Sequence, residues 1–315
     1  MKKIPVGISS CVIGEKVRFD SGHKVSQFVT KELSPHFEFV SICPEVGIGL
    51  PVPRPTIRLV SEQERIALVE TKNPDRDYTD LMETYSKNKA QELLSHQLCG
   101  YIVCAKSPTC GMERVKVYQT NHAEKNGIGL YTKQLMETMP WLPIEEDGRL
   151  NDPVLKENFI ARVYALFDFY QSVTDAHSAG QIVAFHSRYK LTLMAHNPSA
   201  YRELGQLVAN IKEYPADEFY QKYRLQFMQA MENRASRKNN TNVMMHIQGY
   251  FKRSLTTEQK SELAEVINQY RIGELPLLAP LTLLKHYLHM FPNDYLQTQK
   301  FLQPHPQELK LRYGL

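Results

Sequence analysis

The sequence predicts an α/β N-terminal domain with a mainly parallel sheet, followed by an all-α C-terminal domain. Two observations carry this. Over the first 150 residues short apolar runs alternate with segments of helical spacing, and beyond that point the strand signal stops. A third observation bounds it: 315 residues suit two domains, or one large α/β domain.

Residues 4–8, 37–42, 57–60 and 101–104 read as strands, being short, apolar and rich in Ile, Val, Phe and Tyr. Residues 24–33 and 80–98 have helical spacing, with Thr79 or Asp80 placed to cap the second. Strands alternating with helices imply βαβ units and parallel pairing. The run Gly49-Leu50-Pro51-Val52-Pro53-Arg54-Pro55 cannot be helical, because proline lacks the amide proton and pushes its predecessor out of the α region; it reads as a rigid extended loop. Residues 145–153 form a polar, turn-rich stretch that places the boundary between domains 1–150 and 151–315. After it, residues 155–170, 179–195, 200–211, 216–231, 242–251, 257–270 and 277–290 fit amphipathic helices. Thr256 or Thr257 is placed to cap the helix at 257–270.

Composition excludes several classes. The chain is 42% hydrophobic and 23% charged, which rules out disordered, collagen-like and coiled-coil designs. No apolar run approaches the ~18 residues of a membrane helix. Lys2-Lys3 ahead of Cys11 faintly resembles a lipoprotein signal, but the apolar stretch between them is short and holds Pro5. A cytoplasmic location is expected. The net charge of +4 is too weak alone to claim a nucleic-acid partner. Its distribution says more: residues 1–150 hold 19 basic and 19 acidic side chains, residues 151–315 hold 19 and 15, and seven of the 11 histidines.

The five cysteines, Cys11, Cys43, Cys99, Cys104 and Cys110, all lie in the first 110 residues. An odd count argues against a disulfide framework, and clustered thiols in a reducing compartment suggest metal or catalysis. Cys11 follows the first predicted strand, Cys43 the second, and Cys110 the loop after the strand containing Cys104. Ligands of an open α/β sheet bind outside the carboxyl ends of its strands, so these three thiols, 32 and 67 residues apart, are expected to meet there. Cys99 at a helix end and Cys104 inside a strand are expected to be ordinary packed residues. Three thiolates are one short of a closed zinc site and suit a metal centre with one position open, for which iron–sulfur, copper(I) and zinc are all soft enough. Glu45, two residues past Cys43, has the place of a general acid or base, or is a solvated loop carboxylate; Ser107, three before Cys110, that of a group orienting water or substrate, or is a plain turn-former before Pro108. Arg18, His23, Lys24 and Arg54 near the same crevice are candidates to receive a phosphate, or serve loop solubility and salt bridging.

The local sequences are specific. Ser9-Ser10-Cys11-Val12-Ile13-Gly14 leads to Val17-Arg18-Phe19-Asp20-Ser21-Gly22-His23-Lys24; Cys43-Pro44-Glu45-Val46 leads to Gly49-Leu50-Pro51-Val52-Pro53-Arg54; and Ser107-Pro108-Thr109-Cys110-Gly111 follows. In order and sequence these blocks resemble the TudS family of thiouracil desulfidases over about the first 150 residues. The resemblance implies a [4Fe-4S] cluster whose iron is held by Cys11, Cys43 and Cys110, with Glu45 and Ser107 as the catalytic pair. Val183 to Lys190, Met194 to Pro198 and Asn239 to Phe251 resemble a helical domain found fused to that one, in an architecture similar to the RudS type of desulfidase. That resemblance implies hydrolytic conversion of 4-thiouracil or 4-thiouridine, in a nucleotide or tRNA, to uracil or uridine with release of sulfide.

In the helical domain the run from Asn233 to Asn240 and the pair Lys252-Arg253 read as phosphate-contacting segments or as a charged helix face. His186, Arg188, Tyr189, Lys190 and His196 offer groups for RNA stacking, or are satisfied core residues. Other readings of the residues stay open: a zinc or cysteine-nucleophile hydrolase using the same thiols, and an RNA-binding or sulfur-sensing module with a structural metal.

Overall fold

A computed structural model describes residues 3–62, 65–119, 122–174 and 178–313. The chain divides into two units, residues 1–152 and 153–315. The first is α/β with a parallel sheet and the second is helical, as the sequence predicts.

Strand β1 (Ile4–Ser9) is buried almost throughout because it is flanked on both sides. β2 (Phe37–Ile42) and β5 (Tyr101–Val103) pair with it in parallel, and β8 (Ile144–Glu146) pairs in parallel with β5. The order β2-β1-β5-β8 makes the chain move outward to one side of β1 and then cross to the other. Ligands of open α/β sheets collect at such a reversal, at the carboxyl ends of the central strands. In the register, Gly7 faces Tyr101, and a Cβ at Gly7 would come 2.2 Å from the Tyr101 ring, so only glycine fits.

A second four-stranded sheet is only partly legible in the sequence. It joins two antiparallel hairpins, β3 (Ile57–Glu62) with β4 (Arg65–Glu70) and β6 (Val115–Tyr118) with β7 (Ala123–Gly127), through a parallel β3–β6 contact. The apolar pattern reveals β3 alone. β7, Ala-Glu-Lys-Asn-Gly, is an outer strand with no buried residue and so no apolar signal. β8 hides behind two glutamates taken for a turn; both are buried, Glu145 accepting from Arg149 Nε (2.6 Å) and Glu146 from the Met112 amide (3.0 Å).

The helix expected over residues 24–33 is a correction. Lys24 N–H donates to Cys11 O (2.8 Å) and Ser26 N–H to Val12 O (3.0 Å), which hold this stretch extended along the turn after β1; only Phe28–Leu33 coils, as a wide turn. Short helices α1 (Ser10–Ile13) and α2 (Pro44–Gly47) open directly behind β1 and β2. The long helix α3 (Thr79–Leu94) is started not by Thr79 or Asp80 but by Asp77, whose carboxylate accepts the Thr79 amide at 2.7 Å. Helix α4 (Leu130–Thr138) completes the unit's helices.

The second unit consists of α5 (Pro153–Ser172), α6 (Ala179–His196), α7 (Pro198–Ala209), α8 (Ala216–Glu232), α9 (Arg237–Tyr250), α10 (Thr257–Ile272), α11 (Leu278–Met290) and α12 (Asp294–Thr298), with no strand among the described residues. Ser178, Asn197, Ser236 and Asn293 cap helix starts, and Thr256 with Gln259 forms a reciprocal capping box. One part of its core is aromatic: Phe169, Phe185, Tyr189, Phe219, Tyr223 and Phe227 are all buried, with Phe185 stacked on Tyr189 at 4.5 Å. Each such side chain contributes about 1.5–3 kcal/mol by leaving water. A second cluster gathers Ile247, Phe251, Leu263, Ile267, Leu284 and Tyr287.

This packing decides several of the RNA-contact candidates. His186 is 2% exposed with Nδ1 at 3.1 Å from Tyr223 Oη, and Tyr189 is 3% exposed, so neither ring has a face for a base. Arg188 turns to Ser172 and to Asp168 (3.5 Å), and His196 Nδ1 donates to Asn233 O (2.6 Å). In the basic run, Arg237 donates to the Tyr270 and Leu275 carbonyls, Asn239 to Ala195 O and Asn240 to Tyr270 Oη. Arg234 and Lys238 remain exposed.

Candidate active site

Strand ends deliver the candidate residues. Cys11 stands in α1, immediately past β1, and Cys43 is the residue between β2 and α2. Pro44 pre-sets the first turn of α2, which places Glu45 one step behind the thiol. Cys110 sits in the loop after β5, where Gly111 N–H closes a turn on Ser107 O at 2.8 Å. Gly129 crosses directly behind this loop: a Cβ there would lie 2.4 Å from the Thr109 carbonyl carbon, so the close approach requires glycine. Thr132 Oγ1 donates to Cys110 O at 2.7 Å and Asp147 accepts the Ala105 amide at 2.8 Å, pinning the loop from two sides.

Cys11, Cys43, Cys110, Glu45 and Ser107 all line one cavity of about 520 Å³. That volume is in the range of small-molecule sites. The cavity holds a fourth thiol. Cys104 is not inside a strand, as expected, but is the first residue beyond β5; its amide donates to Ser9 Oγ at 3.1 Å and its thiol is hydrogen-bonded to Cys11. Extending β5 by one residue is enough to turn a strand-end side chain into a core one. Cys99, 1% exposed, is packed as expected. All five thiols are free.

Glu45 is the most constrained side chain in the site. Arg54, with its guanidinium nearly fully buried, donates from Nε (2.8 Å) and Nη2 to Oε2, and Thr109 Oγ1 donates to Oε1 at 3.0 Å. Arg54 also holds Val17 O (2.8 Å) and Pro51 O (3.3 Å), tying the loop after α1 to the proline-rich loop. It is thus a clamp on Glu45 and not a free phosphate receptor, the salt-bridging one of the two readings the sequence left open. Lys24 is engaged with Asp147 at 3.0 Å, and His23 does not line the cavity; Arg18 does, with Asp20 at 3.6 Å. Ser107 has a structural duty: its hydroxyl oxygen accepts the amides of Thr109 (3.3 Å) and Cys110 (3.1 Å).

Burial sets the thiols' electrostatics. The hydrogen bond with Cys104 and burial raise the Cys11 pKa, and burial raises those of Cys43 and Cys110. Cys104 moves the other way, lowered by Cys11 and, further down, by Lys24. Buried thiols of this kind become ligands only when a metal replaces their protons. Their softness fits iron–sulfur or other thiophilic centres. The thiols are spaced around the cavity wall: among the described residues, no three Cys, His, Asp or Glu side chains close together as ligands of one ion. The donor set and the volume fit a multinuclear group with a small substrate beside it.

Comparisons with known proteins follow the same division. Residues 6–147 match the family model described as 2-thiouracil desulfurase, and residues 190–306 match one described as a protein of unknown function, DUF1722. The uncharacterized protein YbgA of Escherichia coli (strain K12) is 35% identical over 159 residues, which is 50% of this chain and 94% of YbgA. Among solved structures, the [4Fe-4S]-dependent thiouracil desulfidase TudS is similar at 24% identity and a TM-score of 0.38, over 48% of this chain and 95% of that one. The chain belongs to one family with YbgA, and its residues 6–147 are similar to the 2-thiouracil desulfurase family.

Proposed function

We propose that the protein is an iron–sulfur-dependent desulfidase that exchanges the thiocarbonyl sulfur of a 4-thiouracil-type base for oxygen from water. The reaction is redox-neutral: C=S and water give C=O and hydrogen sulfide. One observation carries the reading, the convergence of Cys11, Cys43 and Cys110 with Glu45 and Ser107 on a single cavity at the strand ends. Cys11, Cys43 and Cys110 would hold a [4Fe-4S] cluster, which would supply a soft Lewis acid for sulfur.

The chain's own residues do the rest. Glu45, held in place by Arg54, takes a proton from the water that attacks the ring carbon. Arg54 and Thr109 fix the direction in which that carboxylate faces. Ser107 holds the amide of Cys110 and with it the loop carrying that ligand. Exposed Lys106 and half-exposed Arg18 at the cavity supply positive charge for a nucleotide phosphate. The first unit, residues 1–150 by the sequence boundary, is the catalytic domain, and the helical unit an accessory domain for thiolated tRNA in the reducing cytoplasm. No helix of the described residues is long and apolar enough to cross a membrane.

The experiment is anaerobic reconstitution with iron and sulfide, followed by 4-thiouridine monophosphate. Cluster-dependent loss of thiocarbonyl absorbance with matching sulfide release is expected. A loaded protein inert on the nucleotide and on thiolated tRNA overturns the reading.

A further inference from the structure

Glu45 and Ser107 do not touch each other; Thr109 stands between them. Its side chain is fully buried, its Oγ1 lies 3.0 Å from Ser107 Oγ, and it donates at 3.0 Å to Glu45 Oε1. Counting donors and acceptors fixes the direction of the chain. Ser107 Oγ accepts two amide protons, from Thr109 and Cys110, which occupies both of its lone pairs. Its own proton is therefore left to donate, and Thr109 Oγ1 is the acceptor within reach. Thr109, having one proton, passes its donation to Glu45 Oε1; the Cys110 thiol at 3.5 Å is the longer contact.

At the other end, Glu45 Oε2 receives two guanidinium N–H groups from Arg54, so both of its acceptor positions are used. Oε1 receives one hydrogen bond and keeps one lone pair. We propose that Thr109 is the positioning residue that couples Ser107 to Glu45, in a one-way hydroxyl chain Ser107→Thr109→Glu45 that leaves a single open lone pair, on Oε1, as the site that takes the proton. Ser107 then acts through Glu45, not by donating its own hydroxyl to substrate. This rests on the desulfidase reading and sharpens it. Two backbone amides anchor the chain, so its direction is built into the loop after β5.

The test is a double-mutant cycle on the reconstituted protein, with iron content per chain and thermal midpoint recorded alongside turnover. Thr109→Val, which keeps shape and removes the hydroxyl, is expected to lower kcat about 10- to 100-fold at nearly unchanged KM, the size of one hydrogen bond to a charged group. Thr109→Ser restores kcat to within about twofold. Per iron loaded, Ser107→Ala costs a similar factor alone and almost nothing further in the Thr109→Val background, the loss of its two amide contacts being read in iron content and thermal midpoint. Should the valine variant fail to load iron, Glu45→Gln replaces it: Ser107→Ala is expected to cost nothing further on residual activity there. Full additivity in either background overturns the chain while leaving the desulfidase reading intact. A loaded wild-type protein without turnover overturns both.

Discussion

The two units use polar side chains in opposite ways. In the first, thiols, a carboxylate and hydroxyls face a shared cavity, and their partners aim them there: Arg54 and Thr109 on Glu45, two amides on Ser107. In the second, several polar residues that looked functional in the sequence are spent on the unit itself, His186 against Tyr223 and Arg237 against the carbonyls of Tyr270 and Leu275. The difference is one of topology. A parallel sheet ends in loops that carry side chains without building the core, whereas this helical unit turns its large aromatic residues, and a few polar ones beside them, inward.

The sharpest way to break this comparison lies at the thiols. Cys110→Ser is expected to abolish bound iron and all turnover, because one of the three proposed ligands is then gone. Cys104→Ser, at a thiol lining the same cavity, is expected to keep near-stoichiometric iron. Iron analysis of both proteins after anaerobic reconstitution decides. Loss of iron in both would make the site a four-thiol one and remove its open position.

Next in size is the clamp. Arg54→Met leaves Glu45 without its ion-pair partner and the Val17 and Pro51 carbonyls without their donor. Breaking a buried pair on one side costs about 3–5 kcal/mol; Glu45 keeps some solvent contact, so about 3 kcal/mol is expected, read from the urea midpoint. Turnover should fall even in the folded fraction, since the carboxylate loses its direction.

How far the sequence could be read follows the same line. Cys11, Cys43, Glu45, Ser107 and Cys110 were legible because each follows a strand whose apolar run is plain, and strand ends of a parallel sheet meet without further information. Cys104 and Thr109 were not. A one-residue error in a strand end separates a packed thiol from a cavity thiol, and nothing in Ser-Pro-Thr-Cys-Gly says that the threonine hydroxyl faces Glu45, 64 residues away. The second sheet was missed because β7 is exposed, and β8 because its glutamates are neutralised by partners that only the fold supplies.

Acid separates the units by a third route. Burial lowers the pKa of His186 and of His305 to about 4, from 6.5 in the unfolded chain. Between these values the unfolded chain takes up protons that the folded one refuses. Stability from these histidines is therefore complete above pH 6.5 and drains away as the pH falls toward 4, by up to about 3 kcal/mol each. Trp141 is the single tryptophan and its fluorescence reports on the first unit, whereas most of the far-UV helical signal comes from the second. The urea midpoint of the helical signal should drop between pH 7 and 4.5, and a His186→Gln/His305→Gln variant should flatten that drop. An unchanged wild-type midpoint would show that these rings are protonated in place.

The smallest effects bear on whether the helical unit meets RNA at all. Phosphate affinity comes from cations that release counterions, so only side chains with a free guanidinium or ammonium contribute. Arg237 fails that condition, with its guanidinium on two carbonyls and over the Tyr270 ring at 4.6 Å; Arg234 and Lys238 meet it. Arg237→Ala is expected to cost about 1–3 kcal/mol of stability and leave the salt dependence of tRNA binding where it was. Arg234→Ala with Lys238→Ala should leave stability alone and reduce the slope of log K against log salt by about 1 for each phosphate that is no longer neutralised. If the slope responds to Arg237 and not to the exposed pair, the inward-facing view of the helical unit fails, because a residue bound to its own backbone would have to leave it to meet the ligand.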